Sequence, residues 1–117
     1  VSQFPVNSKN INDPNAGQVV VATPTGDIDL RHVPDIHSRL LSLCESKPDR
    51  FIIIMSEVTY IDSSGVGALV EINRRIKGYG GQMFLVSPNP RVMNVFEITR
   101  LDRFFSIVSS EEEALAL

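Results

Sequence analysis

The stretch that most limits what this chain can fold into is Val58–Val70, V-T-Y-I-D-S-S-G-V-G-A-L-V, read together with the apolar run just before it. Phe51, Ile52, Ile53, Ile54 and Met55 form a continuous block of β-branched and large residues, the pattern of a strand buried on both faces. Val66, Leu69, Asn73 and Ile76 recur at helical spacing downstream. Between them, Asp62, Ser63, Ser64 and Gly65 are residue types that satisfy free N–H groups at a helix start and tolerate tight turns. Strand, turn and helix thus aim two serines outward at a helix N-terminus, where unpaired donors and a partial positive charge favour an anion. The small residues Gly65, Gly67 and Ala68 leave room for a partner to approach. The plainer reading is that the serines are caps and the glycines serve helix–sheet packing.

The rest of the chain alternates in the same way. Val1–Val6 has strand character with Phe4 and Val6 on one side, held to a sheet edge by Pro5. Asn7–Gly17 is polar and rich in turn formers, which predicts a long hairpin loop leading to a strand at Gln18–Ala22. Val33, Ile36, Leu40 and Leu43 predict a helix from about Val33 to Glu45, with Pro34 in its first turn. The helix after the two serines should run to Lys77 and be stopped by Gly78, Gly80 and Gly81. A strand at Gln82–Val86 and a helix from Asn89–Pro90 follow, the latter turning Val92, Val95, Phe96 and Thr99 inward. Phe104–Val108 reads as a short strand, and Ser110 with Glu113 opens a last helix as a capping box. Such alternation implies an α/β domain with a largely parallel sheet and an antiparallel N-terminal edge.

Composition narrows the classes of function. Eleven Lys and Arg against fourteen Asp and Glu give a net charge of -3, which argues against nucleic-acid binding as the main activity. No apolar run approaches the ~20 residues needed to cross a membrane, and no signal-peptide pattern is visible, so a cytoplasmic location without membrane insertion is expected. The chain opens on valine in place of methionine, which points to processing or trimming. The lone Cys44 cannot form an internal disulfide and reads as a small core residue near the end of the first helix. His32 and His37, five apart, share no helix face and read as solvated surface residues.

The run Ile61–Val70 resembles the signature of the STAS family, most closely its bacterial anti-sigma factor antagonists. T-G-D-I-D-L at Thr25–Leu30, Pro34, G-G-Q-M-F-L-V at Gly80–Val86, N-P-R-V at Asn89–Val92 and S-E-E-E-A-L near the end extend the likeness from residue 17 to 117. The resemblance implies one STAS domain over 1–117, with an edge strand and polar loop at 1–16 and the core at 17–117. Its fold would be α/β, a mixed four- to five-stranded sheet with helices mainly on one face. Two departures stand out. The first hairpin loop is longer than the family's usual turn, and Arg100 stands where the family commonly has glycine, so the turn closing the third helix is expected to be built differently.

In that family the serine directly after the aspartate is phosphorylated, which by position is Ser63. Ser64 would serve the helix start, and Thr59 is a remote third acceptor. Asp27 and Asp29 would border the site from the neighbouring strand. The implied partner-binding set is Asp27, Asp29, Asp62, Ser63, Ser64, Gly65, Val66 and Gly67. The two carboxylates read equally as turn and capping groups, and as an incomplete Mg²⁺ set they imply no metal and no cofactor. The resemblance implies an anti-sigma factor antagonist: the unphosphorylated form binds an anti-sigma factor serine kinase and releases the sigma factor, phosphorylation on Ser63 reverses this, and a phosphatase is a further partner. The alternative is a non-switched STAS module, a scaffold or regulatory subunit of a signalling assembly or transporter. A serine hydrolase is disfavoured, because Gly-x-Ser-x-Gly is absent and no spacing places a histidine beside Ser63.

Overall fold

The computed structural model describes residues 5–117, so the expected strand residue Phe4 lies outside it. Strands β1 (Val6–Asp13), β2 (Gly17–Pro24), β4 (Arg50–Ile54), β6 (Gln82–Val86) and β7 (Ser106–Val108) form a five-stranded sheet in the order β1-β2-β4-β6-β7. β1 runs antiparallel to β2, and the other pairings are parallel. β3 (Gly26–Ile28) and β5 (Val58–Ile61) form a separate parallel pair. The helices are α1 (Val33–Leu43), α2 (Ser63–Gly78), α3 (Pro90–Ile98) and α4 (Glu111–Ala116).

Alternation along the central strands sorts their side chains onto two faces. Val20, Ala22, Phe51, Ile53, Met83 and Leu85 pack under the first three helices, against Ile36, Leu40, Leu69, Ile72, Ile76 and Phe96. Val19, Val21, Ile52, Phe84 and Val86 point the other way and are met by Ala114 of α4. Burying each large side chain contributes about 1.5–3 kcal/mol, so the continuous run at 51–55 holds both layers to one sheet. Helices lie mainly on one face, as the family resemblance implies. Cys44 ends α1 inside this core, where burial pushes its thiol up to about 11 against a smaller opposing effect of Arg75.

Four expectations need correction, the last of them at the turn closing α3. Asn7–Gly17 is not a loop: it supplies most of β1, paired with β2 at eight positions from Val6↔Pro24 to Asp13↔Gly17. On this edge strand only Val6 is buried, so no apolar alternation marks it. The turn is short because Asp13 Oδ1 accepts from the amides of Asn15 (2.8 Å) and Ala16 (2.7 Å), while Gly17 takes φ +83°. Second, Val58–Ile61 is a strand in its own right, inserted between the apolar strand and the serines. Third, Thr99 is exposed at the end of α3, its hydroxyl donating to the Val95 carbonyl at 2.8 Å.

Helix ends follow one design. α2 closes with Gly80 N–H on the Lys77 carbonyl (3.0 Å) and Gly81 N–H on the Ile76 carbonyl (2.9 Å), Gly80 being at φ +93°. α3 closes identically, with Arg100 N–H on Glu97 (3.1 Å) and Leu101 N–H on Phe96 (2.8 Å). The expectation of a differently built turn is therefore wrong: Arg100 itself adopts the left-handed conformation, at φ +61°. That costs an L residue about 1–2 kcal/mol, partly offset because glycine would lose more freedom on folding. Arg100→Gly is expected to stabilise the domain by about 0.5–1 kcal/mol, read as a higher urea midpoint with unchanged slope. At the last helix Ser110 accepts from Glu113 N–H (3.1 Å), but the Glu113 carboxylate reaches back to the Ser109 amide and hydroxyl, both at 2.9 Å. Those two bonds hold Glu113 below the usual carboxylate range.

Candidate functional site

The two-stranded pair brings the Thr25–Leu30 and Val58–Gly67 segments together. Parallel pairing of Asp27 with Tyr60 and Ile28 with Ile61 sets the β3–α1 turn beside the start of α2. Asp62 fastens the two. Its Oδ1 accepts from Gly65 N–H (3.1 Å), capping α2, and its Oδ2 accepts from Leu30 N–H (2.9 Å) across the turn. Its own amide donates to the Ile28 carbonyl at 3.3 Å.

Because Asp62 is the cap, neither serine is needed for it, and Ser64 does not have the role expected of it. Ser63 occupies the first position of a 16-residue helix, exposed, and no described residue hydrogen-bonds its hydroxyl. Ser64 is half-buried. Gly65 and Val66 are buried, so of the predicted binding set they support the site from beneath, whereas Gly67 is exposed. The two glycines differ in reason. A Cβ on Gly65 would lie 2.4 Å from the Ile28 carbonyl oxygen, but one on Gly67 would meet nothing within 4 Å.

Asp27 and Asp29 do border the site, each already engaged. Asp27 Oδ1 accepts from the Thr59 hydroxyl at 2.6 Å. Asp29 Oδ1 accepts from His32 N–H (3.1 Å) and pairs with His32 Nδ1 (2.8 Å), opening α1. Desolvation pushes the Asp29 carboxyl up, but the His32 hydrogen bonds and the charges of His32 and Arg31 together hold it below the usual range. Among the described residues no group of three or more His, Cys, Asp or Glu is placed to hold a metal ion. The histidines are not merely solvated: His32 pairs with Asp29, and His37 pairs with Glu71 across α1 and α2.

Leu30, Tyr60 and Arg91 also belong to this surface, although none is in the expected binding set. Leu30 and Tyr60 are exposed beside Asp62, and the Arg91 guanidinium lies over the Tyr60 ring, 5.7 Å from its centroid. The signal available was the exposed face of the short strand Val58–Ile61.

The sequence profile of the STAS domain matches residues 10–114. The chain belongs to the STAS domain family. A candidate anti-sigma factor antagonist of Thermotoga neapolitana is 40% identical over 67 residues, 57% of this chain and 59% of that protein, so the match spans less than two thirds of its length. The anti-sigma-B factor antagonist of Bacillus subtilis is 31% identical over 87 residues, 74% of this chain and 79% of that one. The unphosphorylated form of the anti-sigma factor antagonist SpoIIAA has a structure similar to this STAS domain, with TM-score 0.72 and 25% identity over 95% of this chain and 91% of that one. SpoIIAA of Bacillus also has a solved phosphorylated form, with TM-score 0.65 and 22% identity over 94% of this chain and 97% of that one. In this domain no described helix is long and apolar enough to cross a membrane.

Asp62 is where the site can be tested for coherence. Asp62→Ala removes both the cap and the tie to Leu30, with an expected loss of about 1–3 kcal/mol in urea unfolding. Asp62→Asn keeps an oxygen for one of the two amides and should lose about half as much. Equal stability of both variants with the wild type would mean that the bridge contributes nothing.

Proposed function

We propose that this STAS domain is a phospho-switched anti-sigma factor antagonist. Unmodified, it binds an anti-sigma factor serine kinase through the surface around Ser63 and so releases the sigma factor. Phosphorylation of Ser63 ends that binding, and a phosphatase restores it. The observation that carries this reading is the Ser63 hydroxyl: exposed, unbonded, and at the first turn of a long helix whose cap is supplied by its neighbour. A phosphate there meets the partial positive end of α2, and its placement requires no native hydrogen bond to break. The named functions of its relatives and the phosphorylated form of SpoIIAA support the same reading. The two competing acceptors are worse placed, since Thr59 is engaged by Asp27 and Ser64 is half-buried.

Incubation with ATP and candidate anti-sigma factor kinases of the same genome, followed by phosphopeptide mapping, tests the assignment. One phosphate on Ser63 is expected, and none in Ser63→Ala. Label on Ser64 or Thr59 with Ser63 bare would reverse it.

A further inference from the structure

The groups around Ser63 divide into those already bonded inside the domain and those that are not. Both Asp62 oxygens accept from backbone amides, Asp27 holds Thr59, and Asp29 is turned toward His32. Leu30 and Tyr60 are in the opposite condition, 73% and 38% exposed, and they are two of only four large hydrophobic residues exposed among those described. Both adjoin Asp62: the Leu30 amide donates to its Oδ2 at 2.9 Å, and Tyr60 lies two positions before it on β5. The Arg91 guanidinium rests over the Tyr60 ring and forms no ion pair with a described residue. Asn89 holds that end of α3 to the same strand, its Nδ2 donating to the Val58 carbonyl at 2.8 Å.

We propose that Leu30, Tyr60 and Arg91 are the anchors by which the anti-sigma factor kinase grips this domain. The kinase would offer an apolar socket to Leu30 and Tyr60 and a carboxylate to Arg91. The inference rests on the functional reading above and names the contacts that supply its affinity. Affinity at a protein interface comes chiefly from apolar area removed from water, concentrated on a few residues among which tyrosine and arginine are over-represented. Carboxylates already bonded within the domain have less to gain from a partner than an unpaired guanidinium does, and the unspent positive charge of Arg91 calls for a negative group opposite. Stacking on Tyr60 and the fastening of α3 hold the guanidinium in place beforehand, so docking orders little.

Titration calorimetry of the unmodified domain against the purified anti-sigma factor kinase decides this. Leu30→Ala and Tyr60→Ala should each weaken binding on the order of tenfold or more, and Arg91→Glu more than Arg91→Ala. Tyr60→Phe should keep most of the affinity. Ile98→Ala, which removes an equally exposed residue from the far end of α3, should change nothing. Thermal unfolding of each variant verifies the fold, and Arg91→Glu changes an exposed residue of α3 and no residue of the two strands. Wild-type affinity in the Leu30, Tyr60 and Arg91 variants, with binding still abolished by Ser63→Glu, would overturn these anchors and leave the functional reading standing. Failure of the wild type to bind, or binding undiminished by Ser63→Glu, would overturn both. A dimer in sedimentation that Leu30→Ala dissociates would give this face to a second copy of the chain and also overturn the proposal.

Discussion

Gly65→Ala is expected to destabilise the domain by about 3 kcal/mol, at the upper end of what one added methyl group costs a packed interior. The new Cβ would lie 2.4 Å from the Ile28 carbonyl oxygen, 2.7 Å from Ile61 Cγ1 and 2.8 Å from Ile28 Cγ2. The first of these is backbone, and that carbonyl already accepts from the Asp62 amide, so it cannot move aside without loosening the junction of β3 with α2. The better helix propensity of alanine returns only about 1 kcal/mol. Gly67→Ala, two positions on, makes the control: with open space at its Cβ it should stabilise by up to about 1 kcal/mol. Urea unfolding of both variants measures the contrast, and a Gly65→Ala midpoint equal to that of the wild type would refute the packing account.

Phosphorylation of Ser63 should lower affinity for the anti-sigma factor kinase on the order of a hundredfold or more, about 3 kcal/mol, while leaving the domain folded. The modification adds about −1.5 to −2 charges, of which the α2 dipole offsets roughly 0.3–1 kcal/mol. Asp62 is adjacent, and Asp27 and Asp29 lie on the paired segment, so the surface becomes strongly acidic. No hydrogen bond of the Ser63 hydroxyl is lost, and the helix keeps its Asp62 cap, which is why the fold should persist. Ser63→Ala should therefore bind constitutively, with stability changed by no more than about 0.5 kcal/mol. Amide NMR shifts on phosphorylation are expected around Asp62–Gly67 and the Asp27–Leu30 turn. Shifts spread through α3 and α4 would mean that the phosphate remodels the fold, and the electrostatic account would fail.

What the chain alone determined were the features whose cause lies within a few residues. The apolar run at 51–55 reads as a strand buried on both faces, and helical spacing behind Asp62–Gly65 reads as the opening of α2. Gly80 and Ser110 mark helix ends because backbone freedom and a short hydroxyl act locally. The exposed serine at a helix start was legible for the same reason. Tertiary structure decided what depends on residues far apart in sequence. β1 exists because eight backbone pairs with β2 outweigh a polar composition, and β5 because it finds β3 some thirty residues earlier. The same pairing made Asp62 a bridge as well as a cap and engaged Asp27 with Thr59, whereas the Asp29–His32 contact is local to its own turn. It also separated two glycines that look alike in sequence, one pressed against the Ile28 carbonyl and one facing open space. Local composition specifies which bonds a residue can make; only the arrangement of β3 against β5 settles which partner takes them, because that partner is brought into reach by the packed core.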